Sequence, residues 1–282
     1  MSTIPASRIP NPGSIAFVGG GNMARSLIGG LLRSGTPAQA VAVSEPDAKL
    51  RAALAHDFGV AVHAANESAA AAADVLVLAV KPQVMKTVCT GLRAATAARR
   101  PLAVSIAAGI RIAQIETWLG GEAVVRAMPN TPALIGAGAT ALCANAVCSA
   151  TQRERAQSIL AAAGTTVWID DEALMDTVTA LSGSGPAYFF LLVEALEQAA
   201  AAQGLPRDIA RALAVQTCLG AGRMLVEDGA APAELRRRVT SPNGTTQAAL
   251  DSFAASGFAD VVARAVEAAT RRGRELSQQF GD

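Results

Sequence analysis

The chain of 282 residues has few of the side chains that most often move protons. It has two histidines, His56 and His63, and three lysines, Lys49, Lys81 and Lys86, so neither type occurs beyond position 86. Oxidation of an alcohol or hydroxy acid needs a base for the hydroxyl proton, whereas reduction of an already protonated imine needs none. The scarcity therefore favours a C=N substrate over a C=O one, with a carboxylate or Lys81 as the remaining candidate bases. Aromatic residues make up 4% of the chain. No basic tract is interleaved with them, which argues against nucleic acid as a partner. The four cysteines, Cys89, Cys143, Cys148 and Cys218, show no CxxC spacing and stand apart from the histidines. Neither a zinc site nor a disulfide framework is indicated, and a reducing compartment fits. No run approaches the roughly 18 apolar residues of a membrane span, and the opening MSTIPASRIPNPGS lacks the regions of a signal peptide. The expectation is a cytoplasmic protein, outside any membrane, whose partner is a small molecule.

Half of the chain, 51%, is hydrophobic, and the net charge is +1. From Ser14 to about Asp170, the apolar runs SIAFV, AVAVS, VLVLAV, PLAVSI and AVVRA alternate with alanine-rich, helix-length segments. Such alternation predicts a parallel sheet covered on both faces. VLVLAV is continuous rather than alternating, as in a strand buried on both sides, and is placed at the middle of the sheet. After TTVWIDD the strand signals stop, and helices are predicted over 171–181, 185–203, 206–227, 246–256 and 258–279. The division expected is an α/β, Rossmann-like dinucleotide-binding domain over 1–170 and an all-helical domain over 171–282. The segment AYFFLLVEAL, near 187–196, is apolar round most of its helix, which favours a subunit interface over a surface helix. The basic run Arg236-Arg237-Arg238 is read as an exposed helical face.

Gly19, Gly21 and Ala24 stand at the spacing G-x-G-x-x-A between a strand and a helix. In a dinucleotide-binding turn the first glycine permits the bend, the second lets backbone approach pyrophosphate, and the small third residue lets helix and strand pack closely. The N–H groups of the helix start then meet the anion. An ordinary glycine-rich turn is the alternative. Glu45, at the end of the second strand, lies somewhat beyond the acidic position about 20 residues on that meets the adenosine ribose. There it would accept from ribose hydroxyls and repel a 2′-phosphate, which keeps NAD beside NADP; otherwise it is a solvated residue opening a helix. A bound nicotinamide implies hydride transfer.

Lys81 follows the central strand, where doubly wound sheets place their ligand crevice. Asn130 and Thr131, in MPNTP, lie on a loop stiffened by two prolines and border the same region. SIAAGI, Ser105 to Ile110, ends a strand in small residues that leave room for a flat ring. In VTSPNGTTQAALDSF a Pro-Asn-Gly turn opens a helix with Thr245 and Thr246 in its first turn. Free N–H groups there would hold a carboxylate, or the threonines simply cap their own helix.

Taken in order, FVGGGNMA, AVKPQ, SIAAGI, RAMPNTP, MDTVTALSGSGPAYFF, GLPRDIARALAVQT and VTSPNGTT resemble the pyrroline-5-carboxylate reductase family over nearly the whole chain. The resemblance implies NAD(P)H-dependent reduction of 1-pyrroline-5-carboxylate to proline. It also implies a helical domain that interlocks two subunits, with dimers assembling further, up to a decamer. By position it assigns pyrophosphate to Gly19, Gly21, Asn22 and Met23, and the adenosine side to Asn66 and Glu45. The nicotinamide is flanked by Val80, Lys81, Pro82, Ala107, Ala108, Gly109 and Asn130. Ser241, Asn243, Gly244 and Thr245 would receive the substrate carboxylate, with Thr246 as the catalytic candidate beside the imine nitrogen. Two departures stand out: Asn243 replaces the family's usual glycine, and Glu45 stands where NADP users have a small or basic residue. Related hydroxy-acid dehydrogenases are a rival, but Phe189 occupies the place of their catalytic lysine after Gly183-Ser184-Gly185. A noncatalytic NAD(P)-sensing regulator is a second.

Overall fold

The computed structural model describes residues 13–280, so residues 1–12 of the opening segment lie outside it. Strands and helices alternate as β1 (Ile15–Val18), α1 (Asn22–Arg33), β2 (Val41–Ser44), α2 (Ala48–Phe58), β3 (Ala61–His63), α3 (Asn66–Ala70), β4 (Val75–Leu78) and α4 (Pro82–Thr96). There follow β5 (Leu102–Ser105), α5 (Ile112–Leu119), β6 (Val124–Met128), β7 (Gly138–Ala144), α6 (Ala150–Ala161) and β8 (Gly164–Trp168). The strands form one sheet in the order β3-β2-β1-β4-β5-β6-β7-β8. All neighbours are parallel except β6 and β7. The segment 129–137 between those two is shorter than the dozen or more residues that a parallel crossover needs, so β7 turns back beside β6.

VLVLAV behaves as its composition predicts. Every residue of β4 is buried. Val75 and Val77 pack into the layer under α1 with Phe17, Leu27, Ile28 and Val104. Leu76 and Leu78 pack into the opposite layer with Met85 and Leu92 of α4 and Ile115 of α5. Burial of such a side chain contributes about 2 kcal/mol, so the paired layers are the main support of the sheet.

The sheet reverses its order about β1, which has β2 on one side and β4 on the other. A crevice opens at such a reversal, beyond the carboxyl ends of the strands, and ligands bind there in doubly wound folds.

The compact units divide at a different point from the predicted 170/171 boundary. One runs to Gly183 and takes in the chain again from Ala269; the other is Ser184–Ala268. The reason is burial. The segment expected as one helix over 171–181 is a 3-10 turn (Glu172–Leu174), α7 (Met175–Val178) and a π turn (Thr179–Gly183), and it buries Met175 and Ala180 completely.

The helical unit contains α8 (Gly185–Ala202), α9 (Arg207–Glu227), α10 (Pro232–Arg238) and α11 (Thr245–Ala255), with the start of α12 (Phe258–Gln279). Helix α10, outside the ranges predicted for helices, carries the arginine run on an exposed helical face as read from the sequence, where Arg237 and Arg238 pair with Glu234 at 2.7 and 3.1 Å. On α8, Phe189, Phe190 and Leu191 are 60–69% exposed. Helix α9 is long and apolar enough to cross a membrane by length and composition, the one such helix among the described residues.

Candidate active site

The chain leaves β1 through a turn fitted closely to the end of β4. Gly19 donates to Ser44 O at 2.9 Å, and Ala79 donates to Val18 O at 2.8 Å. Gly19 has φ +99°, and a β-carbon on it would lie 2.7 Å from the Ala79 carbonyl oxygen. Gly21 caps α1 without a side-chain hydrogen bond, and no acidic residue occupies the first turn. A β-carbon built on Gly21 would meet nothing within 4 Å. The first-turn N–H groups, starting with exposed Asn22 and half-buried Met23, therefore border open space at the positive end of a helix. Ala24, fully buried, lets α1 sit close to the sheet. The donor set and the room beside it fit a pyrophosphate.

Beside this turn, half-buried Glu45 has both carboxylate oxygens engaged. Its Oε2 accepts from Gly20 N–H at 3.0 Å, and its Oε1 accepts from Asp47 N–H at 3.0 Å. The carboxylate thus tethers the glycine turn to the start of α2, where Asp47 caps the helix through Lys49 and Leu50 N–H. Arg51, which the sequence reading passed over, donates through one guanidinium nitrogen to Glu45 O at 2.6 Å and Pro46 O at 2.7 Å. The available signal was a cation close after β2, in the region where NADP-binding folds place an arginine near the 2′-phosphate. Asn66, half-buried, is the first residue of α3, beyond β3.

The remaining segments of the sheet unit stand at the carboxyl ends of β4, β5 and β6. Val80 packs behind Gly19, with its Cγ1 3.1 Å from the β-carbon position. Exposed Lys81 caps α4, and Pro82 opens it. In the loop after β5, Ala107, Gly109 and Ile110 are buried and Ala108 is exposed. Asn130 is buried, and its amide is committed: Nδ2 donates to Ser182 O at 3.0 Å, and Oδ1 accepts from Ala139 N–H at 2.9 Å. Its side chain brackets β6, β7 and the π turn together.

In the helical unit, Ser241 to Gly244 form the turn before α11, with Gly244 N–H donating to Ser241 O at 3.0 Å. Asn243 has φ +57°. The family's glycine is replaced by one of the few residues that enter the left-handed region at small cost, so the turn survives the departure. Gly244 is the cap residue of α11, and no side chain caps this end. Thr245 is exposed and Thr246 half-buried. Neither threonine caps the helix, and the first-turn amides are available to an anion.

Among the described residues, no group of three His, Cys, Asp or Glu side chains is placed to hold a metal. All four cysteines are free thiols. Burial pushes the Cys89 thiol up to about 12 and also raises Cys143 and Cys148, so none of these three is a nucleophile at neutral pH.

A mainly parallel sheet with an open helix start at its reversal point, followed by a helical half, is the architecture of a dinucleotide-binding protein. Residues 172–276 match the family model described as pyrroline-5-carboxylate reductase dimerisation, and residues 14–109 match NADP oxidoreductase coenzyme F420-dependent. The chain is 54% identical to the pyrroline-5-carboxylate reductase of Pseudomonas aeruginosa, over 95% of this chain and 98% of that one. Its fold is similar to that of a pyrroline-5-carboxylate reductase from Coxiella burnetii, with a TM-score of 0.92 and 40% identity over 94% and 99% of the two chains. The Plasmodium falciparum pyrroline carboxylate reductase, solved with NADP bound, gives 0.81 and 28% over 95% and 99%. The chain belongs to the pyrroline-5-carboxylate reductase family.

Proposed function

We propose that this chain reduces 1-pyrroline-5-carboxylate to L-proline with NADPH or NADH, the closing step of proline biosynthesis. The observation that carries the reading is the 54% identity to the Pseudomonas aeruginosa enzyme, which extends through both units. When bound, the reduced nicotinamide supplies a hydride to the electron-poor C5 of the imine. The chain's own residues bind and orient. Gly19, Gly21, Asn22 and Met23 hold the pyrophosphate through backbone, with Glu45 and Asn66 toward the adenosine. Val80, Lys81, Pro82, Ala107, Ala108, Gly109 and Asn130 form the wall beside the nicotinamide, Asn130 through its backbone. The turn Ser241, Asn243, Gly244, Thr245 presents amides to the substrate carboxylate, and the Thr246 hydroxyl hydrogen-bonds the imine nitrogen. Catalysis on this reading is chiefly positioning, which suits a chain without His or Lys beyond residue 86.

The dimer formed through the helical half assembles further, up to a decamer, in the cytoplasm; light scattering on the purified protein reads its mass. The reaction is tested by following nicotinamide absorbance with each reduced cofactor, with and without 1-pyrroline-5-carboxylate. Oxidation that requires the imine and yields proline is the expected result. Cofactor binding without oxidation would identify a sensor instead.

A further inference from the structure

The last turns of α12 return to the sheet unit and reach the loop after β5. The ring of Phe280 lies against Gly109: a β-carbon on that glycine, which has φ +78°, would stand 3.1 and 3.3 Å from two ring atoms. The Phe280 carbonyl accepts from Gln114 Nε2 at 2.8 Å, and the Oε1 of the same amide accepts from Arg111 N–H at 2.7 Å. One side chain therefore joins the residue that closes the loop to the last turn of the helix. A second attachment lies further back, where buried Ser277 donates to Asp176 Oδ1 at 3.2 Å. Arg274 and Gln278 of this stretch line a polar cavity of about 390 Å³ with Arg111, Arg126, Glu172 and Asp176. The stretch is thus fixed at discrete points rather than along its length.

The loop is anchored at its two ends, where Ile106 N–H donates to Leu78 O at 3.2 Å and Ile110 is buried, and it has few polar ties between them. Its small side chains offer no polar group, and the bond from Ala107 N–H to Ser105 Oγ is long, at 3.4 Å. We propose that Phe280, tied down by Gln114, is a positioning residue for the reduced dinucleotide: pressed on Gly109, it holds the loop in the shape that leaves Ala108 exposed at the carboxyl end of the sheet. This rests on the reading of the loop as the wall beside the nicotinamide. Without the ring, cofactor binding must itself order the loop, and ordering one residue costs about five- to thirtyfold in affinity.

The test uses the full chain carrying Phe280→Ala, Phe280→Leu or Gln114→Ala, titrated with NADPH by its fluorescence, with steady-state kinetics and thermal melts alongside. Phe280→Ala is expected to raise the NADPH dissociation constant by about five- to thirtyfold, on the loop-ordering argument. KM for the imine should stay near wild type, and Phe280→Leu should recover most of the loss. Should Phe280→Ala not fold, Gln114→Ala, which keeps the ring and removes the bonds to Phe280 O and Arg111 N–H, decides. An unchanged NADPH dissociation constant in Gln114→Ala and in the folded Phe280 variant, with or without a lowered melting temperature, overturns the proposal. Because the titration needs no turnover, it gives its answer even if wild-type protein fails to reduce the imine, and that failure would count against the proposed reaction alone.

Discussion

Gly19 and Ala79 meet with no room for a side chain: the Ala79 carbonyl oxygen stands 2.7 Å from where a β-carbon on Gly19 would lie. The turn after β1 and the end of β4 are therefore one fitted piece, and the open space beside Gly21 depends on both. Gly19→Ala is expected to destabilise the protein by about 2 kcal/mol through its positive φ alone, with the clash adding to that. It should also weaken NADPH binding at least about tenfold, or roughly 1.4 kcal/mol. Urea unfolding and a fluorescence titration check the two parts, and full NADPH affinity in the variant would remove this turn from the binding site.

Glu45 is tied to the glycine turn, and Arg51 stands beside it with one guanidinium nitrogen on the Glu45 and Pro46 carbonyls. Both carboxylate oxygens of Glu45 are used by backbone N–H groups, so Glu45→Ser should loosen the glycine turn and weaken NADH and NADPH alike. Arg51→Ala should weaken NADPH several times more than NADH, since a guanidinium beside this turn favours a 2′-phosphate. The ratio of KM values for the two cofactors reads both outcomes. A shift toward NADPH in Glu45→Ser would restore the carboxylate as the group that reads the ribose.

Thr246→Ala should lower turnover on the order of tenfold, the loss expected when one positioning hydrogen bond of about 1.4 kcal/mol is removed. Its melting temperature should match wild type, because the α11 cap is Gly244 and the threonine hydroxyl does not close the helix. Kinetics unchanged from wild type would take Thr246 out of the reaction.

Asp74 gives the fold an acid-sensitive joint. Hydrogen bonds from Ser14 N–H at 3.0 Å and Ser14 Oγ at 2.9 Å, with Arg99 at 3.0 Å, hold its carboxyl below the ordinary aspartate range. A carboxyl lowered in the folded state adds stability that is fully present above its unfolded value, about 3.9, and is lost as pH falls through the lower folded value. Asp74→Asn should therefore flatten the decline in stability below about pH 4, measured by urea midpoints across a pH series. A decline as steep as that of wild type would show that other carboxylates dominate it.

The legible parts of this molecule were those where one residue type answers one physical demand. Continuous Val and Leu marked β4 as buried on both faces, and G-x-G-x-x-A marked the turn, because few other residues satisfy either requirement. Strand β3 was missed because Ala61–His63, three residues long, is too short to carry a pattern. Strand β7, GATALCA, was missed because alanine and glycine give no strand preference, and its burial comes from neighbours distant in sequence. The bracket made by Asn130 and the tether made by Glu45 left no local trace, since each depends on where a side chain ends rather than on where it begins. The return of Ala269 and beyond to the sheet unit was hidden for a related reason. Amphipathic spacing in α12 shows that one face is covered, and says nothing of what covers it.

The exposed Phe189, Phe190 and Leu191 on α8 fall within the segment that matches the dimerisation model. Apolar area of this kind is withdrawn from water only when a second copy arrives, so folding and association draw on the same free energy. Dilution should therefore lower the heat resistance of the protein as well as its assembly.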